Sequence, residues 1–284
     1  MSLDPGTRIG AVRLTVADLD GTREFYERTV GLRALDDSGE AVRLGGDAGA
    51  VVELVGRPDA PPRPRGTTGL FHLAILLPDR AELARALRRV ADSAWRLSGA
   101  SDHLVSEALY LQDPEGNGIE IYRDRPRDEW RRVDGELQMA TLPLDLDSVL
   151  AELNGEDAQV AGASPDTSLG HVHLQVADLE AAEAFYAGIL GFEVTVRGYP
   201  GALFLSAGGY HHHVGLNTWA GEGAPAPPPD SLGLRWFEVV IPRSGELDQL
   251  WTRLRDAGHP TEPTDGGILA TDPSGNRVLL RADD

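Results

Sequence analysis

The chain contains no cysteine. That excludes disulfides, thiolate metal sites and a cysteine nucleophile. Basic residues are scarce: Lys and Arg total 26 against 45 Asp and Glu, a formal net charge of −19 at pH 7. Such a surface repels nucleic-acid phosphates and an anionic membrane face. No apolar run approaches the roughly 20 residues that span a bilayer. The opening MSLDPGTRIG has no apolar signal-peptide segment. The expectation is a cytoplasmic protein that binds neither nucleic acid nor membrane. What is present is ordinary for a soluble globular protein: 284 residues, 41% hydrophobic and 25% charged, enough for one large domain or two of usual size.

One stretch organises the rest, SDHLVSEALYLQDPEGNGIEIY at 101–122. It reads as two strands joined by a tight turn. Asp113-Pro114-Glu115-Gly116-Asn117-Gly118 is dense in turn formers: Pro presets φ, while Gly and Asn tolerate positive φ. Ile119-Glu120-Ile121-Tyr122 alternates with period two, so Glu120 points away from its isoleucine neighbours. A carboxylate inside a short apolar strand costs free energy unless it is paired or binds a cation. Alternation alone favours the plainer reading, with Glu120 facing solvent on a half-buried strand.

Along the chain, residues 9–19 alternate as a strand, Asp18 caps a helix to about Thr29, and Gly31 ends it. Short strands follow near 32–35, 41–44 and 50–55, then a Pro-rich linker at 57–69. A second module starts at Gly69, with a helix from Asp79 to about Leu97, and ends in the organising stretch. LTVADLDGTREFYERTVGL (14–32) recurs as LQVADLEAAEAFYAGILGF (174–192), and YLQDPEGNGIEI recurs as LATDPSGNRVLL. The chain therefore contains an internal repeat of a pair of βαβββ-like units. A single such unit cannot bury its curved sheet, whereas two side by side can, with a cleft inside the curve. The expected fold class is α+β, with modules at 9–56, 69–125, 169–220 and 232–284. They group into domains 1–125 and 169–284, joined by a connecting segment at 126–168.

These features resemble the vicinal-oxygen-chelate superfamily, which includes glyoxalases, fosfomycin and bleomycin resistance proteins and extradiol dioxygenases. The resemblance covers nearly all of the chain outside the connection and implies barrels or half-barrels built from paired modules. His103, Leu109-Tyr110, Asp113-Pro114-Glu115-Gly116 and Glu120 resemble the extradiol signature, although Ser101 is atypical of its first position. HLAILLP, GHVHLQVADL and GGYHHHVGLNTW extend the likeness to the catechol 2,3-dioxygenase-like proteins.

The resemblance also implies ligand positions, one on the first and one on the last strand of each module. Module one offers Ala11 and Glu53, module two His72 and Glu120, module three His171 with His213 or a neighbour, and module four Trp236 and Leu279. His72, Glu120 and His171 make the two-His, one-carboxylate set of an Fe(II) extradiol site, which Mn(II) also fits. The order differs from the best-known enzymes, whose ligands run His, His, Glu in the second half. A competing set is Glu53, His72 and Glu120. His171 is preferred over His173 because it lies seven residues before Asp178. His213, with His212 next, resembles the family's acid–base histidine, a role suited to a pKa of about 6.5. His103 and Tyr110 resemble groups that orient the substrate hydroxyls. The bland readings are a core His72, a loop His103 and a core Tyr110.

The implied reaction is ring cleavage of a catechol by dioxygen to a semialdehyde, with an aromatic diol and dioxygen as small-molecule partners. Self-association is left open. Two rivals share the scaffold: a glyoxalase-type lyase or isomerase using Ni(II) or Zn(II) and Glu53, and a metal-free small-molecule-binding protein.

Overall fold

The computed structural model describes residues 2–133, 136–153 and 162–283. Of the expected connection, residues 134–135 and 154–161 lie outside that set.

Each module has the order strand, helix, three strands. Module one is β1 (Arg8–Val16), α1 (Leu19–Phe25), β2 (Arg33–Asp37), β3 (Ala41–Gly46) and β4 (Gly49–Gly56). Module two is β5 (Gly69–Leu77), α2 (Arg80–Asp92), β6 (Gly99–Asp102), β7 (Ser106–Gln112) and β8 (Gly118–Asp124). The connection adds a hairpin, β9 (Arg132–Val133) and β10 (Glu136–Leu137), then β11 (Leu142–Pro143) and α3 (Leu146–Leu150). Module three is β12 (Ser168–Gln175), α4 (Leu179–Glu183), β13 (Glu193–Val196), β14 (Ala202–Ser206) and β15 (Val214–Asn217). Module four is β16 (Gly233–Ile241), α5 (Ser244–Asp256), β17 (Thr261–Thr264), β18 (Gly267–Thr271) and β19 (Arg277–Ala282). The βαβββ expectation is met four times.

In every module the last strand lies beside the first. The strand orders are β17-β18-β19-β16-β1-β4-β3-β2 and β11-β6-β7-β8-β5-β12-β15-β14-β13. Modules four and one share the first sheet, modules two and three the second. The chain also divides into two compact units, one of residues 1–14, 60–71 and 170–284, the other of 15–59 and 72–169.

The connection is more than a tether. β11 pairs antiparallel with β6, Leu142 opposite Asp102. Arg80 reaches α3 through the Ser148 carbonyl at 3.0 Å and Glu152 at 2.7 Å. Its Nε meets Glu107 at 2.9 Å, and Arg123 and Arg125 converge on the same buried carboxylate. α2 ends at Asp92 rather than near Leu97, since the next turn places Ala94 at φ 53°.

Both repeats share one internal device. α1 and α4 are N-capped by Asp18 and Asp178, whose carboxylates accept from Gly21 and Ala181. Both helices then widen into a π-helical turn, Tyr26–Val30 and Ala184–Leu190, closed by Gly31 and Gly191 at φ 94° and 96°. The wide turns hold Tyr26 and Tyr186, whose hydroxyls donate to Asp113 and Asp272 at 3.4 and 3.1 Å. Each of those carboxylates also accepts two backbone N–H groups and the amide of its own turn, Asn117 or Asn276. A DPxGN turn is thus clamped from inside by the helix of the neighbouring module.

Burial pushes the Asp113 carboxyl up to about 6 and shifts Asp272 in the same direction. A carboxyl whose folded pKa exceeds its unfolded value stabilises the fold below about pH 4, and that contribution is lost as pH rises through about 6. Asp113→Asn places an NH2 group against existing donors and should cost about 1–3 kcal/mol. Urea unfolding should show the gap between wild type and Asp113→Asn wider at pH 5 than at pH 7.5. An equal gap at both values would contradict this account.

Candidate metal centre

Parallel pairing of β5 with β8 sets Ala74 opposite Glu120, and antiparallel pairing of β7 with β8 sets Tyr110 opposite Glu120. Directly opposed residues share a face, as do residues two apart on one strand. His72, Ala74, Tyr110 and Glu120 therefore lie on one side of the sheet. His72 Nε2 stands 3.1 Å from Glu120 Oε2. The residues are 7% and 3% exposed, which corrects the solvent-facing reading of Glu120 from alternation alone. The face Glu120 occupies is itself covered, so period two could not tell inside from outside. Ala74, Ala108 and Tyr122 fill the same face further along.

Tyr110 is tied to His103. His103 Nδ1 is 2.7 Å from the Ala140 carbonyl, and its Nε2 is 2.7 Å from the Tyr110 hydroxyl. A carbonyl only accepts, so Nδ1 carries the proton. In the neutral ring Nε2 then accepts from Tyr110. Tyr110 is therefore the donor of this pair. His72 and Tyr110 have ring centroids 5.7 Å apart.

His171 lies on β12 and is 1% exposed. Its ring packs 4.0 Å from His212 and 5.9 Å from His211. His211 Nδ1 and His212 Nδ1 are 2.8 Å apart, so one donates to the other. His173 shares a face with His171 but packs among Phe71, Phe204 and Trp219 at 5.2 to 5.6 Å. Gly215 makes room for it: a Cβ there would lie 2.9 Å from His173 Cγ. His213 turns elsewhere, its Nδ1 accepting from Ala207 N at 3.1 Å and its ring against Tyr210 and Phe192.

His72, Glu120 and His171 form a possible His/Glu/His metal site, one donor atom from each falling within 4.8 Å of the other two. Among the described residues no second such group occurs. The set fits a divalent first-row metal: two imidazoles, one carboxylate, all buried. The corresponding positions of the other modules are built differently. Glu53 stands opposite Arg43 on β3, and Trp236 lies under Arg13 at 5.9 Å.

The aromatic set around His173 escaped the sequence reading. Tyr199 and Phe204 belong to it, with Tyr199 6.0 Å from Phe204 and 6.3 Å from Trp219. The signal was parity, since Phe204 pairs with Gly215 and Gly215 with His173.

Residues 8–121 and 168–280 each match the family model described as Glyoxalase/Bleomycin resistance protein/Dioxygenase superfamily. The chain is 43% identical over 277 residues to "Catechol-2,3-dioxygenase" of Bacillus subtilis (strain 168), covering 96% of each. It is 33% identical over 120 residues to "Biphenyl-2,3-diol 1,2-dioxygenase 3" of Rhodococcus globerulus, covering 40% of this chain and 63% of that one. Glyoxalase I from Zea mays superposes with a TM-score of 0.58 at 17% identity, over 98% of this chain and 92% of that one. The paired βαβββ modules, the buried donor set and both matched halves agree: the chain belongs to the glyoxalase/bleomycin resistance protein/dioxygenase superfamily.

Proposed function

We propose that this chain is an extradiol ring-cleavage dioxygenase, with His72, Glu120 and His171 holding one iron(II) ion and a catechol as substrate. The observation that carries the reading is the convergence of two buried imidazoles and one buried carboxylate within 4.8 Å, in a chain 43% identical to a catechol-2,3-dioxygenase. Three protein ligands leave coordination positions open, as ring cleavage requires. Bound there, the iron would lower the pKa of the catechol so that one hydroxyl gives up its proton near neutral pH, and would leave a position for dioxygen.

The chain's own residues would supply the rest. Glu120 and the two imidazoles orient the ion, and their burial keeps water from competing. The phenol oxygen of Tyr110, its proton turned to His103 Nε2, accepts a hydrogen bond from a substrate hydroxyl. The backbone carbonyl of Ala140 holds His103 in the tautomer that makes this possible. The proton-handling role expected of His213 falls more naturally to His212, whose ring packs on His171 while His213 is committed to Ala207 N. A His suits that task because it takes and returns a proton near neutrality.

After anaerobic Fe(II) loading, oxygen consumption matched to ring-opened product absorbance is expected for at least one member of a catechol panel. No uptake across the panel would defeat the proposal. Glu120→Ala and His171→Ala should retain no stoichiometric iron by metal analysis, with activity lost.

Tyr110→Phe should lower kcat/KM by about 10- to 100-fold, the scale of one hydrogen bond to a charged group. His212→Gln should lower kcat by about 100-fold or more, and His213→Gln should change it far less. The opposite ranking in steady-state kinetics would return the role to His213.

A further inference from the structure

Two proline-rich stretches, one between modules one and two and one between modules three and four, meet inside a single unit. Leu232 N donates to the Pro61 carbonyl at 2.8 Å and Thr68 N to that of Pro225 at 3.0 Å. The Thr68 hydroxyl donates to the Ser274 carbonyl at 2.8 Å. The expected linker at 57–69 is therefore built into the fold. Between these stretches and the turn at 272–276 lies a cavity of about 270 Å3.

Its lining carries three guanidinium groups, Arg63, Arg235 and Arg277, and no carboxylate. That is unexpected in a chain where acids outnumber bases 45 to 26. Arg63 donates to the Leu70 carbonyl at 2.9 Å and to Gln175 Oε1 at 3.3 Å, both neutral acceptors. Burial lowers its pKa, yet an arginine stays charged in a protein. Among the described residues this partly buried cation donates to neutral oxygens, which leave its charge uncompensated. The cradle is shaped for it. Gly69 sits at φ 132°, and a Cβ there would lie 2.7 Å from Arg63 Nη1. Arg235 donates to the carbonyls of Pro229 and Ser231, stitching the wall. Arg277 stands at the rim, paired with exposed Glu262. The rest of the lining is mostly apolar, Pro227 to Pro229, Leu232 and Leu234, with Ser231 and Asn276 adding neutral polar groups.

We propose that this pocket binds a small organic carboxylate with a flat apolar body. The planar guanidinium fork matches a carboxylate in two parallel hydrogen bonds, and the proline walls cover the body. Inorganic phosphate would answer the charge but leave those walls wet. Its lining shares no residue with the metal centre, and the proposal does not rest on the reaction proposed there.

Titration calorimetry on the full chain, freed of metal with EDTA, tests this with benzoate and inorganic phosphate as probes. Benzoate should bind one to one, about tenfold tighter than phosphate, and more weakly at high salt. Arg63→Gln and Arg277→Gln should each weaken benzoate by several-fold to tenfold, while Glu120→Ala binds it as wild type does. Thermal melting without ligand checks that Arg63→Gln is folded; exposed Arg277 supplies the second variant if it is not. Absence of benzoate binding, or affinity unchanged in the folded arginine variants, overturns the site. Equal affinity for phosphate overturns the carboxylate assignment. Loss of binding in Glu120→Ala would assign the benzoate to the metal centre instead.

Discussion

In each module the closing strand returns beside the opening strand, and the centre depends on that pairing. β5 and β8 run parallel with Ala74 against Glu120, so a histidine two residues back on one strand meets a carboxylate on the other across 3.1 Å. The pairing is made by backbone hydrogen bonds and tolerates very different side chains on the face that carries Glu120. The scaffold is therefore indifferent to what it carries there. Module two carries His72 and Glu120, while in module four the corresponding positions carry Trp236, under Arg13, and Leu279.

Around that pairing, polar chemistry is kept in fixed directions by partners that cannot change role. The Ala140 carbonyl can only accept, so His103 presents an acceptor to Tyr110, and Tyr110 presents oxygen to the face it shares with Glu120. That orientation comes from the connecting segment, whose β11 extends the same sheet beyond β6. A stretch with no motif of its own sets the direction of a hydrogen bond in the centre.

Much of this was legible in the chain. The repeat, the four modules and the DPxGN turns followed from in-register residues such as Phe25-Tyr26 and Phe185-Tyr186. His72 and Glu120 followed from strand position once the family resemblance was set beside them. What could not be read has physical reasons. A π-helical turn differs from an α-helical one by a single residue per turn, too little to alter the apolar spacing of a short helix. Tyr210 to His213 precede β15, so strand alternation gives no facing for them, and all four are buried. The linker's composition announced a break, but proline says nothing about which carbonyls a segment will offer to its neighbours.

The unit built on the later half of the chain also contains residues 1–14 and 60–71. Leu3 N donates to the Gly191 carbonyl at 2.9 Å, and Asp4 N to Glu246 at 3.0 Å. The boundaries of this compact unit therefore do not coincide with those of the repeat visible in the amino acids. A cut between the two halves strips this unit of residues 1–14 and 60–71, which stay on the other fragment.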